Sequence, residues 1–199
     1  MTLKPVIQIE TVARPVFPLP LVLFPGGRLP LQIFETRYLD MIRQCMREQS
    51  GFVVTMARQE GFSDLGCEVA ITDFDQLDNG LLGVMCVGQQ KMQLFNPRQQ
   101  SDGLWLADAA PVPIESAQVV DDVHLVLVDL LGNLQRHPAV SGLYQEIDHT
   151  DAFEVGARLT ELLPFDLETK QALFELSDPV RRLAEIEAQV RALELRGRR

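Results

Sequence analysis

Positive charge is scarce in this chain: 18 Lys and Arg stand against 28 Asp and Glu, a formal net charge of -10 over 199 residues. The deficit is shared, with 9 basic and 13 acidic side chains in residues 1–115 and 9 and 15 in residues 116–199. Neither half has the basic footprint that a phosphate backbone demands, so nucleic acid is not an expected partner, and the acidity equally disfavours membrane surfaces. Cysteine is sparse too. Cys45, Cys67 and Cys86 form no C-x-x-C pair and fall in apolar patterns, so they read as buried thiols in a reducing compartment, with the cytoplasm as the expected location. No stretch approaches the roughly 18 apolar residues that crossing a bilayer needs, and Met1-Thr2-Leu3-Lys4-Pro5 lacks the apolar core of a signal peptide.

Recognisable catalytic patterns are missing as well. None of the six serines lies in G-x-S-x-G or beside a lysine in a known nucleophile arrangement. His124, His137 and His149 are too widely spaced for H-E-x-x-H or a Cys/His zinc motif, and no G-x-x-x-x-G-K-[ST] loop is present. Acidic pairs such as Asp73 with Asp75, or Asp121 with Asp122, read as solvated surface. The expectations are therefore no cofactor, no metal and no enzymatic activity.

What is present is a marked change of hydrophobic period. Arg14 to Tyr38 carries two extended segments, each interrupted by prolines that a helix interior would reject, around a Pro25-Gly26-Gly27 turn. Leu29, Leu31 and Ile33 alternate as in a half-buried strand, and from Thr36 Leu39, Ile42, Cys45 and Met46 recur at helical spacing until Ser50-Gly51. Further strands are expected at 52–56, 67–72, 81–87, 91–95 and 104–110, with Asp78-Asn79-Gly80 closing a hairpin. Residues 1–13 read as an irregular arm.

Pro111-Val112-Pro113 marks a linker, and beyond it the period is helical. Val119, Val123, Val126, Leu130 and Leu134 are expected to line the buried face of a first helix, widened by Val120, Leu127 and Leu131. A shorter helix is expected over 140–147. Asp151, Asp166 and Asp178-Pro179 open three more, the last carrying Val180, Leu183, Ile186, Val190 and Leu193. That spacing suits packing inside the bundle, the favoured assignment, or a weak homodimer. The fold class is α+β: a β-rich domain over 1–115 with one inserted helix, then an α-helical bundle over 116–199.

P-L-P-L-V-L-F-P-G at 18–26, P-L-Q-I-F-E-T-R-Y at 30–38, L-G-C-E-V-A-I at 65–71 and G-L-L-G-V-M-C-V-G at 80–88 resemble, in order and spacing, successive motifs of the Lon protease N-terminal (substrate-binding) domain family. L-L-P-F-D-L-E-T-K-Q-A-L-F-E-L at 162–176 extends the resemblance over nearly the whole chain. It implies a PUA-like β pseudobarrel followed by a helical bundle, and a role in holding exposed apolar segments of unfolded polypeptides. In Lon proteases separate ATPase and serine-lysine protease domains do the unfolding and cutting. The 199 residues are expected to contain neither, so a protease from another chain is the implied partner.

A recognition module needs exposed apolar surface with a few polar anchors. Phe34, Arg37 and Tyr38, at the strand-to-helix junction, are the leading peptide-binding candidates. Packing is the competing assignment, with Phe34 under the helix and Arg37 paired to Glu35 or Asp40. Trp105 faces away from Leu104 and Leu106, either as a contact residue or as glue between the two halves. Arg28 in the turn and Arg98 in a loop could anchor acidic groups. The alternative function is a small-molecule-binding protein or hydrolase using the pseudobarrel cleft; RNA binding follows only from the PUA-like architecture.

Overall fold

A computed structural model describes residues 10–144 and 146–197; most of the expected N-terminal arm therefore lies outside the described residues. Six strands occur among them: β1 (Val12–Leu19), β2 (Arg28–Ile33), β3 (Phe52–Ala57), β4 (Phe62–Gln76), β5 (Leu82–Gln99) and β6 (Trp105–Pro111). Helix α1 (Thr36–Glu48) lies between β2 and β3. A 3-10 turn (Asp122–His124) and helices α2 (Leu125–Gln135), α3 (Ala152–Leu162), α4 (Leu167–Glu175) and α5 (Pro179–Gly197) follow the strands.

Strands β1, β3, β4, β5 and β6 close on themselves: β1 runs parallel to β3, β3–β4–β5 are antiparallel neighbours, and β6 bridges β5 back to β1. Closure removes the open edges that invite aggregation. Strand β2 stands outside the ring, paired among the described residues only with the first part of β5 (Arg28↔Val87 to Ile33↔Leu82). The segments expected at 81–87 and 91–95 are one 18-residue strand, so Arg98 belongs to β5 rather than to a loop. Its first part carries β2 and its second part carries β6, which a break would prevent.

Helix α1 ends as Gln49 turns into the left-handed region (φ 51) and Ser50 N–H returns to the Cys45 carbonyl at 3.0 Å. Its buried stripe is Tyr38, Met41, Ile42 and Cys45, with Met46 exposed. The caps expected for the later helices are present: Asp151 accepts from Phe153 N–H (2.8 Å), Asp166 from Thr169 N–H (2.7 Å) and Asp178 from Val180 N–H (3.0 Å).

Two expectations for the helical half need correction. Val119, Val123 and Val126 are exposed, and the buried positions of α2 are Leu127 and Leu131. The helix starts only at Leu125, because Val119 forms a bridge with Asp151 and residues 122–124 make a 3-10 turn, so the earlier valines never join the helical face. The helix expected over 140–147 is replaced by turns up to Leu143; Gln145 lies outside the described residues.

One apolar cluster reaches from the barrel into the helices. Phe24, fully buried after the first strand, meets the Phe174 ring of α4 edge-on at 4.9 Å and the Phe153 ring of α3 at 6.3 Å. The prolines at 111–113 do not free the chain, since Val112 N–H still bonds the Lys91 carbonyl at 2.9 Å.

Candidate functional site

The junction between β2 and α1 separates the three leading candidates. Phe34 is 69% exposed, directly after β2. Tyr38 is 8% exposed: its ring stacks on Phe17 at 4.0 Å within the main core, and burial pushes its hydroxyl pKa up. This residue is a core element, correcting its assignment to a contact surface, because position 38 falls on the buried stripe of α1 with Met41, Ile42 and Cys45. Arg37 is half-buried and already committed. It pairs with Glu35 (2.6 Å), donates to the Gly103 carbonyl (3.0 Å) and lies 4.8 Å above the Tyr38 ring.

The remaining candidates do not join Phe34. Trp105 meets Phe62 edge-on at 5.4 Å in a small cluster of barrel residues, so it is neither fully open nor wedged between the halves. Arg98 pairs with Asp108 across β5 and β6 at 2.9 Å. Arg28 lines a crevice with Tyr144, Glu146 and Glu154 where β2 approaches the helices, and its buried Nε has no hydrogen-bond partner among the described residues.

The structure instead brings together a surface on β2, which Phe34 follows directly in the chain. Past residue 69, β4 is no longer covered by β3, so β2, the start of β5 and the end of β4 form a three-stranded wing. Directly opposed residues share a face: Pro30, Met85 and Asp73 form one row, and Gln32, Gly83 and Asp75 form another on the same side. Leu77 folds back over Gly83, where a Cβ would stand 2.8 Å from the Leu77 side chain. The result is an open groove of about 360 Å³ lined by Pro30, Gln32, Asp73, Asp75, Leu77 and Met85, among others. Phe74, 56% exposed, stands at the wing's outer edge.

Sequence reading missed this groove for a physical reason. A bulge at Thr72 breaks the alternation between Ile71 and Asp73, so side chains beyond it exchange faces relative to the apolar pattern before it. The available signal was Phe74 between two aspartates, an apolar residue with no place in a hairpin tip.

A second cleft, of about 330 Å³, separates barrel and helices beside Lys91, Glu115, Pro113, Ile114 and Phe153. Its polar groups are occupied internally. Glu115 accepts from Lys91 (2.6 Å) and, through both oxygens, from Arg182 (2.6 and 2.8 Å). Lys91 also donates to the carbonyls of Phe174 and of Leu176, and Arg182 to those of Leu173 (2.9 Å) and Leu176. Burial and the neighbouring Arg182 charge pull the Lys91 pKa down to about 8. A matching buried set holds the first turn. Glu161 of α3 accepts from Phe24 N–H (2.8 Å) and Tyr144 hydroxyl (2.8 Å), Arg158 donates to the Pro25 carbonyl and lies 3.0 Å from Glu161, and burial raises the Glu161 pKa.

Among the described residues no group of three His, Cys, Asp or Glu side chains is placed to hold a metal ion, and no helix is long and apolar enough to cross a membrane.

Comparison with known proteins agrees with this architecture. A Lon N-terminal domain protein from Xanthomonas campestris is 30% identical, with a TM-score of 0.77 over 89% of this chain and 98% of that one. The N-terminal domain of a Mycobacterium avium complex Lon protease shares the fold at 16% identity, with a TM-score of 0.64 over 88% of this chain and 96% of that one. The PUA-like pseudobarrel with appended helices is thus the architecture of these domains. Residues 13–190 match the family described as the ATP-dependent protease La (LON) substrate-binding domain, and the chain belongs to that family.

Proposed function

We propose that this chain is a non-catalytic polypeptide-recognition module that holds exposed apolar segments of unfolded proteins on the outer face of the β2–β5–β4 wing. The observation that carries the reading is the open groove where Pro30, Leu77 and Met85 offer apolar surface, with exposed Phe34 two residues along the chain from Gln32 of its lining. Side-by-side strand addition to β2 is the weaker mode, because Pro30 has no N–H to donate along that six-residue edge. Face binding through side chains follows. Membership of the substrate-binding family supports the polypeptide assignment. Capture needs no nucleotide in this reading, and a separate protease is the candidate partner. Three free, buried thiols suit a reducing, cytoplasmic setting.

The small-molecule alternative has less support. The cleft between barrel and helices has its Lys91, Glu115 and Arg182 groups satisfied by one another, leaving few polar handles for a ligand.

Fluorescence anisotropy with an unfolded client, without nucleotide, tests the proposal. Burying one Phe is worth about 1.5–3 kcal/mol, so Phe34→Ser should weaken binding by roughly tenfold or more. Absence of binding by the wild-type chain at about 100 μM, a limit near 5 kcal/mol of binding free energy, would sink the reading.

A further inference from the structure

We infer that the wing groove selects apolar segments that carry lysine or arginine beside their apolar residues; this rests on the polypeptide-binding reading above and specifies its clients. Charge distribution carries the argument. No Lys or Arg occurs between Arg58 and Lys91, a stretch holding Glu60, Asp64, Glu68, Asp73, Asp75 and Asp78. Of these, Glu68 is neutralised by Arg14 at 2.5 Å. Asp73 and Asp75 have no ion-pair partner among the described residues; each uses one carboxylate oxygen to accept from the next backbone N–H, at 2.9 and 2.7 Å. Those bonds hold the two carboxylates beside the groove.

The bulge at Thr72 gives these charges their position. It places Asp73 beside Met85 and Asp75 beside Gly83, on the groove's own face. Two carboxylates two residues apart along one strand stand at one wall, with Pro30 and Met85 in the row of the first. Arg28 shares this face of β2 but lies at its opposite end, in the crevice with Glu146 and Glu154. Among the described residues the groove's lining therefore presents apolar surface with Asp73 and Asp75 as its charged side chains. An apolar residue seated over Met85 and Leu77 brings the side chain of a flanking residue within reach of Asp73 or Asp75. A cation there gains attraction, and a carboxylate is repelled.

The experiment compares three fluorescent peptides with one Leu/Trp/Ile core, flanked by Lys, by Ser or by Glu, binding the full chain in an anisotropy titration. Exposed charge contacts give a preference for the Lys-flanked over the Ser-flanked peptide of between about twofold and twentyfold. That ratio should fall toward one as salt rises from about 0.1 M to 1 M, where the screening length drops from about 10 to about 3 Å. It should also collapse in Asp73→Asn/Asp75→Asn. It should persist in Asp129→Asn/Glu185→Gln, which removes the same charge from exposed positions on α2 and α5. Thermal melts of both double variants confirm that they fold. Equal affinity for the three peptides, or a Lys preference unchanged by Asp73→Asn/Asp75→Asn, overturns the charge selection while leaving polypeptide binding intact. Failure of every peptide to bind removes both.

Discussion

Glu115→Ala is expected to be among the most damaging single changes outside the apolar core. One carboxylate, 5% exposed, serves two cations, Lys91 and Arg182, which are themselves 7% and 0% exposed. Removing it leaves each cation two carbonyls but no counter-charge. Breaking a buried pair in this way costs about 3–5 kcal/mol. For a chain of this size that corresponds to a melting temperature lower by roughly 6–20 °C.

The cost should depend on pH, and the sign follows from Lys91. Its folded pKa is about 8 against 10.5 for the free side chain, so between these values the unfolded chain binds the extra proton and stability rises with pH. The 2.5-unit gap, at about 1.36 kcal/mol per unit, makes the burden of the buried ammonium about 3 kcal/mol, fully present below pH 8. Without Glu115 the ammonium is still less favoured, Lys91 sheds its proton more readily, and only Arg182 remains charged. Urea titrations from pH 6 to pH 10 should therefore show the Glu115→Ala penalty shrinking as pH rises. Adding Lys91→Met should recover part of the loss at neutral pH. A penalty below about 1 kcal/mol, or one that is flat with pH, would refute the view that these cations are held dry by a single carboxylate.

Gly27→Ala should lower stability by about 1–3 kcal/mol in a thermal melt, because the new Cβ would lie 2.3 Å from Glu161 Oε1 and 2.9 Å from the Phe24 carbonyl. Tyr38→Ala should cost about 3–5 kcal/mol by urea denaturation as its stack on Phe17 is lost, while Phe34→Ser changes stability by no more than about 0.5 kcal/mol. The thiols of Cys67 and Cys86, both buried and pushed up to about 12, should resist a thiol reagent at pH 8 until denaturant is added; prompt labelling of the folded chain would contradict their burial.

Where apolar residues alternate or recur without interruption, the fold was legible from residue types alone. The strand at Leu29–Ile33, the hairpin through Asn79-Gly80 and the Asp caps of α3, α4 and α5 all depend on local chemistry. Three features were not legible in the alternation and recurrence of apolar residues. The Thr72 bulge reverses faces within one strand, which turned Asp73 and Asp75 from ordinary surface charge into the rim of a groove. The 3-10 turn at 122–124 shifts the phase of α2, so Val119 and Val123 look like core and are not. Arg158 and Arg182 occupy the buried stripes of α3 and α5, where a guanidinium is tolerated only because Glu161 and Glu115 meet it.

These buried charges give the Pro25-Gly26-Gly27 turn its role. The turn is fixed to the barrel by reciprocal bonds, Gly26 N–H to Gly88 carbonyl and Gly88 N–H to Gly27 carbonyl, each 2.9 Å. From the helical side, Glu161 takes the Phe24 N–H and Arg158 meets the Pro25 carbonyl. Its polar backbone is thus satisfied by both halves, which a solvated loop would not require. Strand β2 begins one residue later, at Arg28, so its start is clamped while Pro30, Gln32 and the Phe34 that follows the strand are exposed. The helical half contributes to the groove without lining it: by fixing the turn it fixes how β2 lies against β5, and hence the row that sets Pro30 beside Met85 and Asp73. Loosening Arg158 or Glu161 should therefore disturb peptide binding through the placement of β2, at a distance from any bound segment.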